Sequence, residues 1–306
     1  MSTVLQASSR QFVSTSFTTQ IVRRAYRYLQ SGYAIHLRGA AGTGKTTIAM
    51  HLAGLLGRPM VLLYGDEDLQ SAQLIGSQSG YSRKKVVDNY IHSVLKIEDD
   101  LRQSWVDSRL TMAAKEGFTL IYDEFNRSRP ETNNALLGVL EEKLIALPPD
   151  SNQSDYVRVH PNFRAIFTSN PQEYAAVHPT QDALMDRVIT IEVGEADVET
   201  EHLILTSRIG ISPVQADAII KVVRNFRKFT HQYKSSSLRA CLMIAKICFE
   251  HNIPTISNSE DFRELCGDVL LSRLDHTGDQ QEVTTEPSPA ELLTRILDRL
   301  DLVPQI

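Results

Sequence analysis

Gly39-Ala40-Ala41-Gly42-Thr43-Gly44-Lys45-Thr46 decides how this chain is read. The stretch fits G-x-x-x-x-G-K-[ST] at every fixed position. Ala34-Ile35-His36-Leu37-Arg38 before it reads as a short strand. Lys45 to Leu56 after it places Ile48, Ala49, Leu52, Ala53, Leu55 and Leu56 on one helical stripe, and Gly57 and Pro59 close the helix. Backbone N–H groups can converge on phosphate oxygens only where side chains are small or absent. The helix N-terminus adds partial positive charge. The expected phosphate-binding set is therefore Gly39, Ala40, Ala41, Gly42, Thr43, Gly44, Lys45, Thr46 and Thr47. Lys45 is expected on the β and γ phosphates of ATP and the Thr46 hydroxyl on Mg²⁺.

Strand candidates recur outward from this loop at Tyr33 to Leu37, Met60 to Tyr64, Phe118 to Tyr122, Arg164 to Thr168 and Val188 to Val193. Their near-continuous apolar character suits a parallel sheet buried on both faces. The helical patterns between them, starting with Thr18 to Gln30, predict a doubly wound α/β domain over residues 1–195. Two segments read as inserts. Residues 70–96 are polar, glycine-marked and carry Arg83-Lys84-Lys85; residues 144–159 flank Pro148-Pro149-Asp150-Ser151-Asn152 with β-prone pieces and read as a hairpin.

The strand ending in Tyr122-Asp123-Glu124 delivers two acids to the end of a parallel sheet where ligands bind. Asp123 is expected to hold Mg²⁺ and Glu124 to polarise the attacking water. Pro130 fits the first turn of a helix running to Lys143. Asn170, before Pro171, fits a turn former and equally an amide that positions water. Arg187 fits a local salt bridge or a reach to a neighbouring subunit's γ-phosphate, and Arg239 a surface cation or a reporter of nucleotide state.

Past Glu195 the pattern turns helical, from Pro213 through Ala216, Ile219, Ile220, Val223 and Phe226, then from Ser237 to Glu250 and from Asp261 to Leu274. Residues 196–276 thus read as a smaller all-helical domain. Residues 277–306 read as a polar linker to Pro289 and a last amphipathic helix, Ala290 to Leu300, that packs back or docks on a partner.

Of 306 residues, 42% are hydrophobic and 23% charged, so a sizeable core is available. No apolar run is long enough to span a bilayer, and Met1 to Arg10 lacks the pattern of a secretory signal. Three cysteines, Cys241, Cys248 and Cys266, lack metal-ligand spacing and predict reduced thiols in a cytoplasmic protein. Nine histidines include no H-E-x-x-H pair. A net charge of −5 without an added DNA-binding module argues against nucleic acid as a partner.

In this order the pieces resemble the AAA+ ATPases. Gly39–Thr46 matches Walker A and Asp123-Glu124 Walker B, while Asn170 falls at sensor 1, Arg187 at the arginine finger and Arg239 at sensor 2. The two inserts and Asp123-Glu124-Phe125-Asn126-Arg127 are similar to the MoxR-type branch. Within it, the chain resembles the gas vesicle protein N family of cyanobacteria. That resemblance rests on Met1–Ala7, Asp88–Val94, Trp105–Leu110, Tyr122–Pro130 and His178–Arg187. It implies an AAA+ P-loop core followed by a helical lid, and Mg²⁺-dependent ATP hydrolysis in a hexameric ring with the finger in trans. It also implies a cytoplasmic or vesicle-associated role on gas vesicle shell or accessory proteins. A nucleotide-gated assembly scaffold and a MoxR-like chaperone of another complex are the alternatives.

Overall fold

The computed structural model describes residues 12–88, 96–147, 156–171, 182–229, 237–272, 274 and 288–300. Helix α1 (Ser16–Gln30) is started by Thr15, whose hydroxyl accepts from the Thr18 N–H at 3.2 Å. There follow β1 (Ala34–Arg38), α2 (Lys45–Leu56), β2 (Met60–Tyr64), a short α3 (Ser71–Ile75), and the pair β3 (Gly76–Asp88) and β4 (Lys96–Asp107). Next come α4 (Arg109–Glu116), β5 (Thr119–Asp123), a 3₁₀ turn at Phe125–Arg127, and α5 (Pro130–Leu140) with Pro130 in its first turn. The core closes with β6 (Leu144–Ala146), β7 (Tyr156–Arg158), β8 (Arg164–Ser169), α6 (Asp182–Met185) and β9 (Val188–Glu192).

Five strands form one parallel sheet in the order β2-β5-β8-β1-β9. Side-chain alternation sends β5 and β8 residues to both faces. Ile121 and Ile166 join Ile35, Leu37, Leu52 and Ile21 beneath α1 and α2. Leu120, Tyr122, Ala165 and Phe167 pack with Leu110, Leu136 and Phe125 on the opposite face. Strands buried on both faces explain the unbroken apolar runs, and the α/β class read from them stands. Leu55, expected on the buried stripe of α2, is 47% exposed, because it lies at the margin of the stripe in the last turn.

The first insert is longer than expected. The polar stretch up to Asp107 pairs antiparallel with β3, so the hairpin runs past residue 96 into Trp105 and Val106. The second is a hairpin of β6 and β7, whose tip at residues 148–155 lies outside the described residues. So do residues 178–181 of the quoted His178–Arg187 run and most of the linker, 275–287.

The helical part comprises α7 (Val198–Ile209), α8 (Pro213–Phe229), α9 (Ser237–His251), α10 (Glu260–Leu271) and α11 (Pro289–Asp298). It has its own core, built around Ile219, Val223, Phe226, Ile244 and Phe262. The three cysteines are free and buried there. The last helix packs back: Leu293 and Leu297 enter this core, and Arg263 binds Asp298 at 2.8 Å. The helical part is tied to the α/β core by polar contacts. Thr200 donates to the Thr15 hydroxyl at 2.8 Å, and Arg227 donates to the Glu195 carboxylate at 2.7 Å. Among the described residues, no helix is long and apolar enough to cross a membrane.

Candidate functional site

The Gly39–Thr46 loop leaves the C-terminal end of β1, the second strand from one edge of the sheet. Its first glycine is required by packing: a Cβ on Gly39 would stand 2.2 Å from the Val193 carbonyl oxygen. Gly44, at φ +89°, turns the chain into α2 and caps it without a side chain. The first N–H groups of that helix therefore face the loop without a side-chain cap. Lys45 is buried, and its Nζ donates to the carbonyls of Gly39 at 2.8 Å and Ala40 at 2.7 Å. Thr46 Oγ1 donates to both carboxylate oxygens of Asp123, at 2.9 and 3.0 Å. Two hard oxygen groups thus face each other across the start of α2 and the end of β5, a donor set that suits Mg²⁺.

Asp123 is the last residue of β5, so the acid pair stands at the same end of the sheet as the loop. Glu124 leaves the strand in the left-handed region, φ 53° and ψ 40°. For a residue with a Cβ this costs about 1–2 kcal/mol, and the turn is held by contacts around it. The Gly65 N–H donates to the Asp123 carbonyl at 2.7 Å, and the Tyr122 hydroxyl to Ser128 Oγ at 2.7 Å. The Glu124 carboxylate lies 2.9 Å from Nε of Arg127, with both side chains partly exposed.

Thr168 was not picked out by sequence reasoning. From the end of β8 its hydroxyl donates to Asp123 Oδ1 and accepts from the Glu124 N–H at 3.0 Å, so one buried side chain orients both acids. Its signal was present: a threonine at the C-terminal end of an apolar strand. Asn170 is buried two residues on, and its carbonyl accepts from Asn126 Nδ2 at 3.4 Å. The Ser169 carbonyl between them receives the Gly39 N–H at 3.3 Å, so the strand end carrying Asn170 backs onto the phosphate-binding loop.

His36, also missed, lies buried on β1 between the two neighbouring strands. Its Nε2 is 2.7 Å from Ser169 Oγ and its Nδ1 3.2 Å from Thr190 Oγ1. Burial first, then the charges of Arg38 and Lys45, push its pKa down to about 4. An unfolded chain protonates this histidine near 6.5. The stability owed to its neutral form is therefore complete above that value and is lost as pH falls from 6.5 towards 4, by about 3 kcal/mol. Unfolding free energies from urea titrations across this window should fall for the native sequence, and the fall should be smaller by that amount in His36→Gln. The carboxylates of Glu195 and Asp197 are held low by hydrogen bonds from Arg227 and Thr200, so their contribution is lost mainly below that window.

Beside the loop, an apolar pocket lies between the core and the helical part. Phe17, Thr47, Ile48, Ile204 and Leu238 line it, with Arg208 at its wall. The structure brings Thr43, Gly44 and Thr47 to this pocket and leaves Arg239 exposed beside Leu238, in the first turn of α9. Arg208 had no signal in the sequence, where the helix that carries it was not read; it is the arginine that lines the pocket.

Arg187 does not join this constellation. It precedes β9, whose Val188 pairs with Ala34 at the start of β1, whereas the phosphate-binding loop follows the end of β1. A five-residue strand separates them, about 17 Å. Its Nε donates to Glu141 at 2.6 Å. Together the loop, the acid pair and the pocket can cradle a polyanion, hold a hard cation, bring a carboxylate to a water and cover a planar base.

Residues 34–188 match the AAA domain of the dynein-related subfamily. A gas vesicle ATPase, GvpN, of Ancylobacter aquaticus is 48% identical across 86% of this chain and 74% of its own length. The corresponding protein of Haloferax mediterranei is 38% identical, covering 90% and 78%, and GvpN2 of Halobacterium salinarum 37% identical, covering 88% and 77%. With the AAA match spanning the loop and the acid pair, the chain belongs to the gas vesicle ATPase family of AAA proteins and is an ATPase.

Proposed function

We propose that this ATPase hydrolyses ATP with Mg²⁺ as a cytoplasmic oligomer, a hexameric ring, and uses the cycle to remodel a protein in gas vesicle assembly or enlargement. The observation that carries the reading is the meeting of Thr46 with Asp123, which joins the phosphate-binding loop to the acid pair. Thr46 and Asp123 are the residues that would hold Mg²⁺; when bound, the ion neutralises charge on the β and γ phosphates. The N–H groups of the loop and of the first turn of α2 receive the phosphate oxygens. Lys45 exchanges the Gly39 and Ala40 carbonyls for the β and γ phosphates. The base lies in the pocket of Phe17, Ile48, Ile204 and Leu238, so nucleotide spans the core and the lid. Glu124 turns from Arg127 to polarise the attacking water, which Asn170 helps to place. Arg187 reaches the γ-phosphate of the neighbouring subunit, and Arg239 reports nucleotide state to the lid. Lid motion after hydrolysis drives the partner, a gas vesicle shell or accessory protein; nucleic acid has no part.

Substitution of Lys45 tests the nucleotide site. The ammonium supplies charge-assisted hydrogen bonds worth about 1.5–3 kcal/mol. Lys45→Ala should weaken ATP binding by about 10–150-fold in calorimetry, with the thermal transition retained. Unchanged affinity would remove the loop from the nucleotide site.

A further inference from the structure

The opposite pole of the molecule carries a second concavity. It has a volume of about 560 Å³ and opens to solvent beneath the base of the β6–β7 hairpin. Gly32 and Arg164 place it at the N-terminal ends of β1 and β8, whereas the phosphate-binding loop leaves the C-terminal end of β1. Three cations line it, Lys143, Arg158 and Arg164, against the single carboxylate of Glu142. Among the described residues, none of the three lies within ion-pair distance of a carboxylate.

Lys143 and Arg158 are exposed, Arg164 is half-buried, and Lys143 Nζ donates to the Leu140 carbonyl at 2.6 Å. Lys143 sits at φ 56°, in the left-handed region, and its carbonyl accepts from the Val159 N–H at 2.8 Å. The Arg164 guanidinium is fixed by the carbonyls of Leu29, Pro161 and Phe163. Both charges are disfavoured where they stand: burial lowers the pKa of Lys143 and Arg164, and each faces a further cation, Arg164 and Arg58 respectively. Like charges that outnumber the one carboxylate lining a cavity are relieved by an anion that enters with its own hydrogen-bond acceptors.

We propose that this cavity binds an acidic segment of a partner protein, in which carboxylates alternate with apolar side chains. Volume argues for a segment over a single inorganic anion, since the cavity falls within the roughly 300–1,000 Å³ range of pockets that enclose whole organic ligands. The lining argues the same way: Leu144, Val159 and Phe163 stand among the cations and would cover apolar side chains. The inference does not rest on nucleotide turnover.

Fluorescence anisotropy on the full chain provides the test, with two fluorescein-labelled hexapeptides, Glu-Leu-Glu-Glu-Leu-Glu and its glutamine counterpart. The acidic peptide should bind saturably, more weakly as salt rises, and the glutamine peptide should bind at least about tenfold more weakly. The double variant Lys143→Gln, Arg158→Gln should lose about tenfold or more in affinity while keeping its ATPase rate, which certifies its fold. Arg158→Lys should retain binding. Equal binding of the two peptides, or undiminished binding by the double variant, would overturn the proposal. Inorganic phosphate that binds the native chain and not the double variant, with no binding of the acidic peptide, would make the cavity a small-anion site and overturn the peptide assignment.

Discussion

Arg187→Ala should reduce kcat for ATP hydrolysis by about 10³–10⁵-fold with little change in ATP affinity. The sheet dictates the form of this result. Arg187 stands before β9, at the end of the sheet away from its own phosphate-binding loop, so no rotamer carries it to its own nucleotide. Within one chain its guanidinium has a bland occupation, the Glu141 carboxylate, in a pair that is partly exposed. Exposed pairs of this kind contribute about 0–1 kcal/mol, so exchanging Glu141 for a phosphoryl group forming in a desolvated interface is favourable. Mixing Arg187→Ala with Glu124→Gln subunits separates this role from a structural one. Each parent should turn over only at its much reduced rate, and in the proposed oligomer a mixture creates interfaces where an intact finger meets an intact acid. Turnover that rises and then falls with the mixing ratio supports action in trans. A single Arg187→Ala variant that hydrolyses ATP at the native rate would leave the residue with its Glu141 pair and nothing more.

What could be read from the sequence was local. The Gly39–Thr46 stretch occupies consecutive residues, and the strands announce themselves as apolar runs, so the α/β core and the place of this loop between β1 and α2 were legible. Thr168, His36 and Arg208 were not, because their meaning depends on neighbours far along the chain. Thr168 touches Asp123 only because β8 lies beside β5, and His36 meets Ser169 and Thr190 only because β1 lies between β8 and β9. Helix α7 escaped notice for a different reason. Its buried face carries Thr200 and Glu201 along with Leu205, while Val198 and Leu203 are exposed, so the apolar period that marks a surface helix is scrambled. Its buried polar groups are satisfied by partners from α1, α8 and α9: Thr15, Arg224 and Ser237. The extent of the first insert was hidden similarly, since a polar strand paired only within a hairpin needs no apolar alternation.

Glu124→Gln should leave ATP binding intact and lower turnover by about 10²–10⁴-fold. The substitution preserves the size of the side chain and removes only its capacity to take a proton. The backbone that presents it is set independently of the carboxylate, by the Thr168 hydroxyl on its N–H and by the Gly65 and Tyr122 contacts around the turn. The variant should therefore keep the turn at φ 53° and the Thr46–Asp123 hydrogen bond. It loses the charge that pairs with Arg127, a partly exposed contact whose removal has a small effect on stability. Single-turnover kinetics should then show normal nucleotide capture followed by a stalled chemical step. If the proposed remodelling cycle holds its partner in the ATP state, affinity capture with Glu124→Gln and ATP should retain a protein that the native chain releases. Native turnover in the variant would return the base assignment to another group. Stalled turnover with full support of vesicle formation would instead make ATP binding, and not its hydrolysis, the step that the partner requires.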